Sequence, residues 1–125
     1  MCGISCILFY PKKRSRKEWD EIRKTFVSCH IFNETKGMDA SGIALIEDSG
    51  EHYLYKEPVR ISELHKRKRY RDILDMLDER TVCLLGHTRA MTKGDPSNNL
   101  NNHPIIAGRV IGIHNSQLCC LCIVY

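Results

Sequence analysis

The spacing of apolar positions changes several times along the chain, and each change predicts an element. Residues 2–10 carry Ile4, Ile7, Leu8, Phe9 and Tyr10, bulk on both faces that predicts a strand ended by Pro11. Trp19, Ile22, Phe26 and Cys29 then recur at intervals of three and four, one stripe of a helix running to about Asn33. Ser15 and Glu18 have the spacing of a capping box and mark its start. Ile43 to Ile46 read as a buried strand, Asp48-Ser49-Gly50 as a turn, and His52 to Tyr55 as the returning strand of a hairpin closed by Pro58. Ser62 predicts the N-cap of a second helix through Leu64, Ile73, Leu74 and Leu77, whose middle, residues 66–71, is too polar to pack. Residues 82–87 and 109–115 predict two more strands, joined by a loop of about twenty residues without periodicity, a length uncommon in a small domain unless the loop has a task.

Composition narrows the class. A chain of 125 residues, 42% apolar and 27% charged, is expected to be one soluble domain with a modest core. No window is long and apolar enough for a membrane span and no signal segment leads the chain, so a cytoplasmic location is expected, without a membrane partner. Seven cysteines, an odd count, argue for thiols in place of a disulfide framework. A net charge of +4 is too balanced to imply nucleic acid, and the runs 12–17 and 66–71 read as solvated surface.

The chemistry-bearing positions are few. Removal of Met1 would leave Cys2 with a thiol and an α-amino group on one carbon. An amine titrating near 7.7 to 8.0 is partly neutral at pH 7 and can take the thiol proton, so the residue holds a nucleophile and its base together. The long loop opens with His87-Thr88-Arg89-Ala90-Met91-Thr92-Lys93-Gly94, and the last strand ends His114-Asn115. Together with the opening Met-Cys-Gly-Ile and the segment Gly37-Met38-Asp39-Ala40-Ser41-Gly42, these come in the chain order of one family. The sequence resembles the glutaminase domain of class II glutamine amidotransferases, within the N-terminal nucleophile hydrolases, most of all those members coupled to a sugar-phosphate synthase domain.

The resemblance implies an α+β fold, the first half of an α-β-β-α four-layer sandwich with two stacked, mainly antiparallel sheets. It implies hydrolysis of glutamine to glutamate and ammonia through a Cys2 thioester, without metal or cofactor, the ammonia passing to a synthase domain or subunit. Carried over residue by residue, Arg89 would grip the substrate carboxylate, with Thr92 and the backbone at Lys93 beside it. Asn115 and the backbone N–H of Ser116 would hold the developing oxyanion. Asp39 and Gly42 are read as a structural turn, and His87 and His103 as structural histidines.

Departures from the family pattern mark the limits of the resemblance. Ala90 and Lys93 stand where synthase-coupled members have Trp and His, which points to a different ammonia acceptor. Lys36 replaces an arginine, and Ser116 replaces the glycine after the oxyanion asparagine. Past Ser116 the likeness ends, so residues 1–116 are expected to be a partial glutaminase domain and 117–125 a divergent Cys-rich tail. Family members continue with further strands and an aspartate for the substrate ammonium, so a C-terminally truncated chain that hydrolyses glutamine poorly is expected. The alternative is a catalytically dead remnant or interaction protein with the same topology.

Overall fold

The computed structural model describes residues 1–115. Its elements run β1 (Gly3–Leu8), α1 (Arg16–Phe32), β2 (Ala40–Glu47), β3 (His52–Glu57), α2 (Ile61–Leu64), α3 (Lys68–Asp75), β4 (Thr81–Arg89), β5 (Ile105–Ala107) and β6 (Val110–Gly112). The long strands form one sheet in the order β1-β4-β2-β3, every pair antiparallel, and β5 and β6 form a separate antiparallel hairpin. This is an α+β fold.

Alternation along each strand sends side chains to two different neighbours. On one face Ile43, Leu45 and Leu84 pack with Trp19 and Phe26 of α1, Ile61 and Leu64 of α2, and Tyr70, Ile73 and Leu74 of α3. On the other face Ala44, Ile46, Cys83 and Leu85 meet Ile111 and Ile113. Ile4 and Leu8 of β1 stay exposed there. The first helix starts at the expected cap: the Glu18 N–H donates to Ser15 Oγ at 3.3 Å, and the Ser15 N–H donates to Glu18 at 2.7 Å.

The second helix departs from expectation. Ser62 lies inside α2, whose N-cap is Arg60, and a turn at 65–67 separates α2 from α3. The phase of the apolar positions explains the break. At about 100° per residue, the nine positions between Leu64 and Ile73 would place them on opposite sides of a continuous helix, about 180° apart. The turn resets the phase, so that Leu64, Tyr70, Ile73 and Leu74 all reach the core. Tyr70, in the stretch expected to be too polar to pack, is 1% exposed. Its hydroxyl donates to Nδ1 of buried His30 at 3.0 Å, while His30 Nε2–H donates to the His87 carbonyl at 3.3 Å. The strand expected over 109–115 is shorter and pairs with β5, which lies inside the expected loop.

Gly42 fixes where that loop rests. A Cβ at this position would stand 2.1 Å from the His103 carbonyl oxygen, 2.8 Å from Lys56 Cβ and 2.9 Å from Pro104 Cδ. Backbone therefore lies directly on the sheet at Gly42, and Lys56 holds it there by donating to the carbonyls of Asn102 at 2.6 Å and Pro104 at 2.7 Å. Gly42→Ala is expected to lower stability by about 3 kcal/mol, because the clash is with backbone that cannot swing aside. Urea unfolding measures this, and an unchanged midpoint would refute the close packing.

Candidate active site

Antiparallel pairing of β1 with β4 brings Gly3 opposite Thr88. Cys2, just ahead of β1, and Arg89, the last residue of β4, therefore meet at one end of the sheet. Asn115, three residues beyond β6, arrives at the same place: the Cys2 N–H donates to Asn115 Oδ1 at 2.8 Å. The Cys2 thiol lies 3.7 Å from the Ala90 carbonyl. Cys2, Arg89, Thr92, Lys93 and Asn115 all line one cavity of about 590 Å³, with Leu100, Asn101, His103, Ile105 and His114 among its other walls. Ser116, the expected second oxyanion donor, lies outside the described residues, as does the tail 117–125.

The cavity suits a small anionic or zwitterionic ligand. Its volume falls within the usual range of ligand sites. Its described lining includes Arg89 and Lys93 and no carboxylate. Of the five guanidinium hydrogens of Arg89, three are directed at the chain's own oxygens. Nη1 donates to Asn102 Oδ1 at 2.7 Å, and Nη2 donates to the carbonyls of Lys93 at 2.5 Å and Gly94 at 2.7 Å. A carboxylate can take the Nη2 edge only if the 93–94 segment moves. Arg89, 5% exposed, is thus also the clamp for the segment that walls the cavity.

That clamp has a second fastening. Asn102, fully buried, accepts from Arg89 and donates through Nδ2 to the Pro96 carbonyl at 2.8 Å and to Asn99 Oδ1 at 3.0 Å. Asp39 holds the other side, accepting from the Met91 N–H at 2.6 Å while its own N–H donates to the Arg89 carbonyl at 2.9 Å. Asp39 lies just ahead of β2, as the reading of a structural turn expects, but Gly42 is not part of that turn: it sits inside β2, paired with Lys56 and His87, where its missing side chain leaves room for the loop. Arg89→Ala would leave three buried or part-buried acceptors without their donor. We expect a loss of about 2 to 4 kcal/mol in urea unfolding, apart from any effect on ligand binding. A variant as stable as the parent would exclude the clamp.

Three histidine rings cluster at the cavity, two of them, His103 and His114, in its lining. The ring centroid of His103 lies 4.4 Å from that of His87 and 4.3 Å from that of His114, and His87 Nε2–H donates to the His114 carbonyl at 3.1 Å. Burial lowers the pKa of His87 to about 3 and that of His103 to about 4. Both are therefore neutral near pH 7, and they pack ring against ring, tilted between His87 and His103 and edge-on between His103 and His114. Sequence reasoning missed the roles of Asn102 and His114. Four asparagines among residues 98–102 offer no local signal of which one reaches Arg89.

The chain is 39% identical over 86 residues to a glutamine–fructose-6-phosphate aminotransferase of Staphylococcus epidermidis, covering 68% of this chain and 13% of that protein. It is 40% identical over 86 residues to the protein of the same name from Geobacillus kaustophilus. It is 33% identical over 105 residues to a probable one from Schizosaccharomyces pombe, covering 83% of this chain and 14% of that protein. The chain thus matches only about an eighth of the length of these curated relatives. No protein-family model matches it. A chain of a solved complex of a β-clamp processivity factor and the little finger domain of PolIV superposes with TM-score 0.50 at 12% identity, covering 76% of this chain and 94% of that one. At that identity the likeness concerns shape alone. The aminotransferase relatives, with the ordered motifs from Cys2 to Asn115, show that the chain belongs to the class II glutamine amidotransferase family.

Proposed function

We propose that residues 1–116 form a glutaminase unit of the N-terminal nucleophile hydrolase type, which hydrolyses glutamine and delivers ammonia to an acceptor held by another domain or subunit. The observation that carries this reading is the 2.8 Å contact between the Cys2 nitrogen and Asn115 Oδ1 at the mouth of a cavity lined by Arg89. Once Met1 is removed, that nitrogen is an α-amine. An acceptor at 2.8 Å points its lone pair in a fixed direction and leaves the Asn115 NH2 to face an oxyanion.

In the proposed sequence the α-amine takes the thiol proton and the Cys2 sulfur attacks the side-chain amide carbon of glutamine. Negative charge grows on the amide oxygen, opposite the Asn115 NH2 and the Ser116 N–H. The tetrahedral species collapses, the C–N bond breaks, and the α-ammonium returns its proton to the departing ammonia. Water then attacks the γ-glutamyl thioester, releasing glutamate and restoring the thiol. Arg89 offers its charge to the substrate carboxylate, with Thr92 and the Lys93 backbone at the same wall.

The test uses the chain with Met1 shown to be removed and a diazoketone analogue of glutamine, followed by mass spectrometry. A single adduct on Cys2, suppressed by excess glutamine and absent in Cys2→Ala, supports the proposal. A folded, processed chain that takes no adduct on Cys2 overturns it and leaves the non-catalytic reading.

A further inference from the structure

Away from the cavity, Cys6 of β1 and Cys83 of β4 bring their sulfurs to 3.9 Å, within thiol hydrogen-bonding distance. The register makes them diagonal neighbours on one face: Cys6 lies opposite Leu85, and Cys83 lies opposite Leu8. Diagonal pairs two residues apart are still in reach of one another in an antiparallel ladder. None of the four described cysteines is in a disulfide. Cys6 is exposed and Cys83 is buried, so only one of the two sulfurs meets solvent.

From this geometry we infer that Cys6 and Cys83 form a hydroperoxide-responsive dithiol, with Cys6 as the attacking thiol and Cys83 as the resolving one. Three features support it. An exposed thiol beside a second thiol is the arrangement in which an oxidised sulfur is captured before it can go further. The contact with Cys83 also lowers the Cys6 pKa to about 7, which raises the thiolate fraction at neutral pH. Third, β1 is an edge strand that pairs only with β4 among the described residues. The sulfurs must close by about 1.9 Å to reach a bond length of about 2.05 Å, and an edge strand can shift toward β4 without breaking a ladder to a second strand.

The chemistry balances without a metal or cofactor. The Cys6 sulfur attacks the terminal oxygen of a hydroperoxide, the O–O bond breaks, and the leaving oxygen departs as an alcohol, or as water from hydrogen peroxide, carrying the thiol proton. Cys83 then attacks the Cys6 sulfur, the S–O bond breaks, and hydroxide leaves as water with the Cys83 proton. Two thiols lose two electrons and one peroxide gains them. The product ties the strand behind the nucleophile to the strand that ends in Arg89.

The experiment exposes the reduced 125-residue chain to one equivalent of hydrogen peroxide, blocks remaining thiols by alkylation, and maps peptides by mass spectrometry. The expected product is a Cys6–Cys83 linked peptide pair, lighter by two hydrogens. Oxidation of Cys6 should run about threefold or more faster than that of Cys29, the advantage left once the lower nucleophilicity of a low-pKa thiolate is allowed for. In Cys6→Ser, an exposed change that spares the core, Cys83 should remain alkylatable after unfolding. In Cys83→Ala, a dimedone-type trap should find sulfenic acid on Cys6. The inference is overturned if Cys6 links to another cysteine, or if Cys6 and Cys83 both stay reduced while Cys29 oxidises.

Discussion

Asn115→Ala is expected to slow acylation of Cys2 by the glutamine analogue by at least about a hundredfold, the usual result of deleting one preorganised oxyanion donor. Two losses combine at this position. The Asn115 NH2 is the proposed partner of the developing negative charge, and Oδ1 is the acceptor that holds the Cys2 nitrogen at 2.8 Å. Asn115→Asp separates them. It keeps an acceptor for the nitrogen but sets a carboxylate where the oxyanion would form, so it should be at least as slow as the alanine variant. Each variant should unfold in urea within about 1 kcal/mol of the parent, since the side chain is only partly buried. If alanine and parent label at the same rate, Asn115 has no part in the reaction.

Acidification from pH 7 to 5 is expected to remove about 4 kcal/mol of folding stability, through His30 and His87. Burial is the first cause for both, lowering His30 to about 4 and His87 to about 3. The sign follows from the unfolded chain, where a histidine titrates near 6.5. Between that value and the folded one, the unfolded state binds the extra proton, so stability falls as pH falls. It is whole above about pH 6.5, and it declines through the window from 6.5 down to about 4 for His30 and 3 for His87. Protonating His30 also takes from Tyr70 the lone pair that its hydroxyl donates to. A loss of this size is a large share of the 5 to 15 kcal/mol typical of small domains. Urea titrations followed by circular dichroism at pH 7.5, 6 and 5 measure it. Equal midpoints at all three would show that neither histidine is buried in its neutral form.

Local signals were legible and long-range ones were not. The Ser15–Glu18 box, the 43–55 hairpin and the 82–87 strand are written in neighbouring residues, and each appears where its spacing puts it. Tyr70 was hidden because it stands among lysines and arginines, and its partner His30 is forty positions away. Arg89 could be picked from its motif as a candidate, and it does line the cavity. That three of its hydrogens are directed at Asn102, Lys93 and Gly94 could not, because backbone carbonyls are present at every position and only the fold decides which of them converge.

The pairing of β1 with β4 also sets a clock on the proposed nucleophile. Gly3 and Thr88 are made more than eighty residues apart, and among the described residues β1 has no other strand partner. At about 5 to 20 residues per second of synthesis, the amino terminus waits roughly four to seventeen seconds before its partner strand exists. In that interval Met1 hangs from an unpaired segment, open to an aminopeptidase. Afterwards the Cys2 nitrogen is fastened to Asn115 and Met1 borders the cavity. The Met1 removal that the proposed mechanism requires thus has its best opportunity during translation, and a chain refolded in vitro with Met1 in place would bring an amide to the site where the proposal needs an amine.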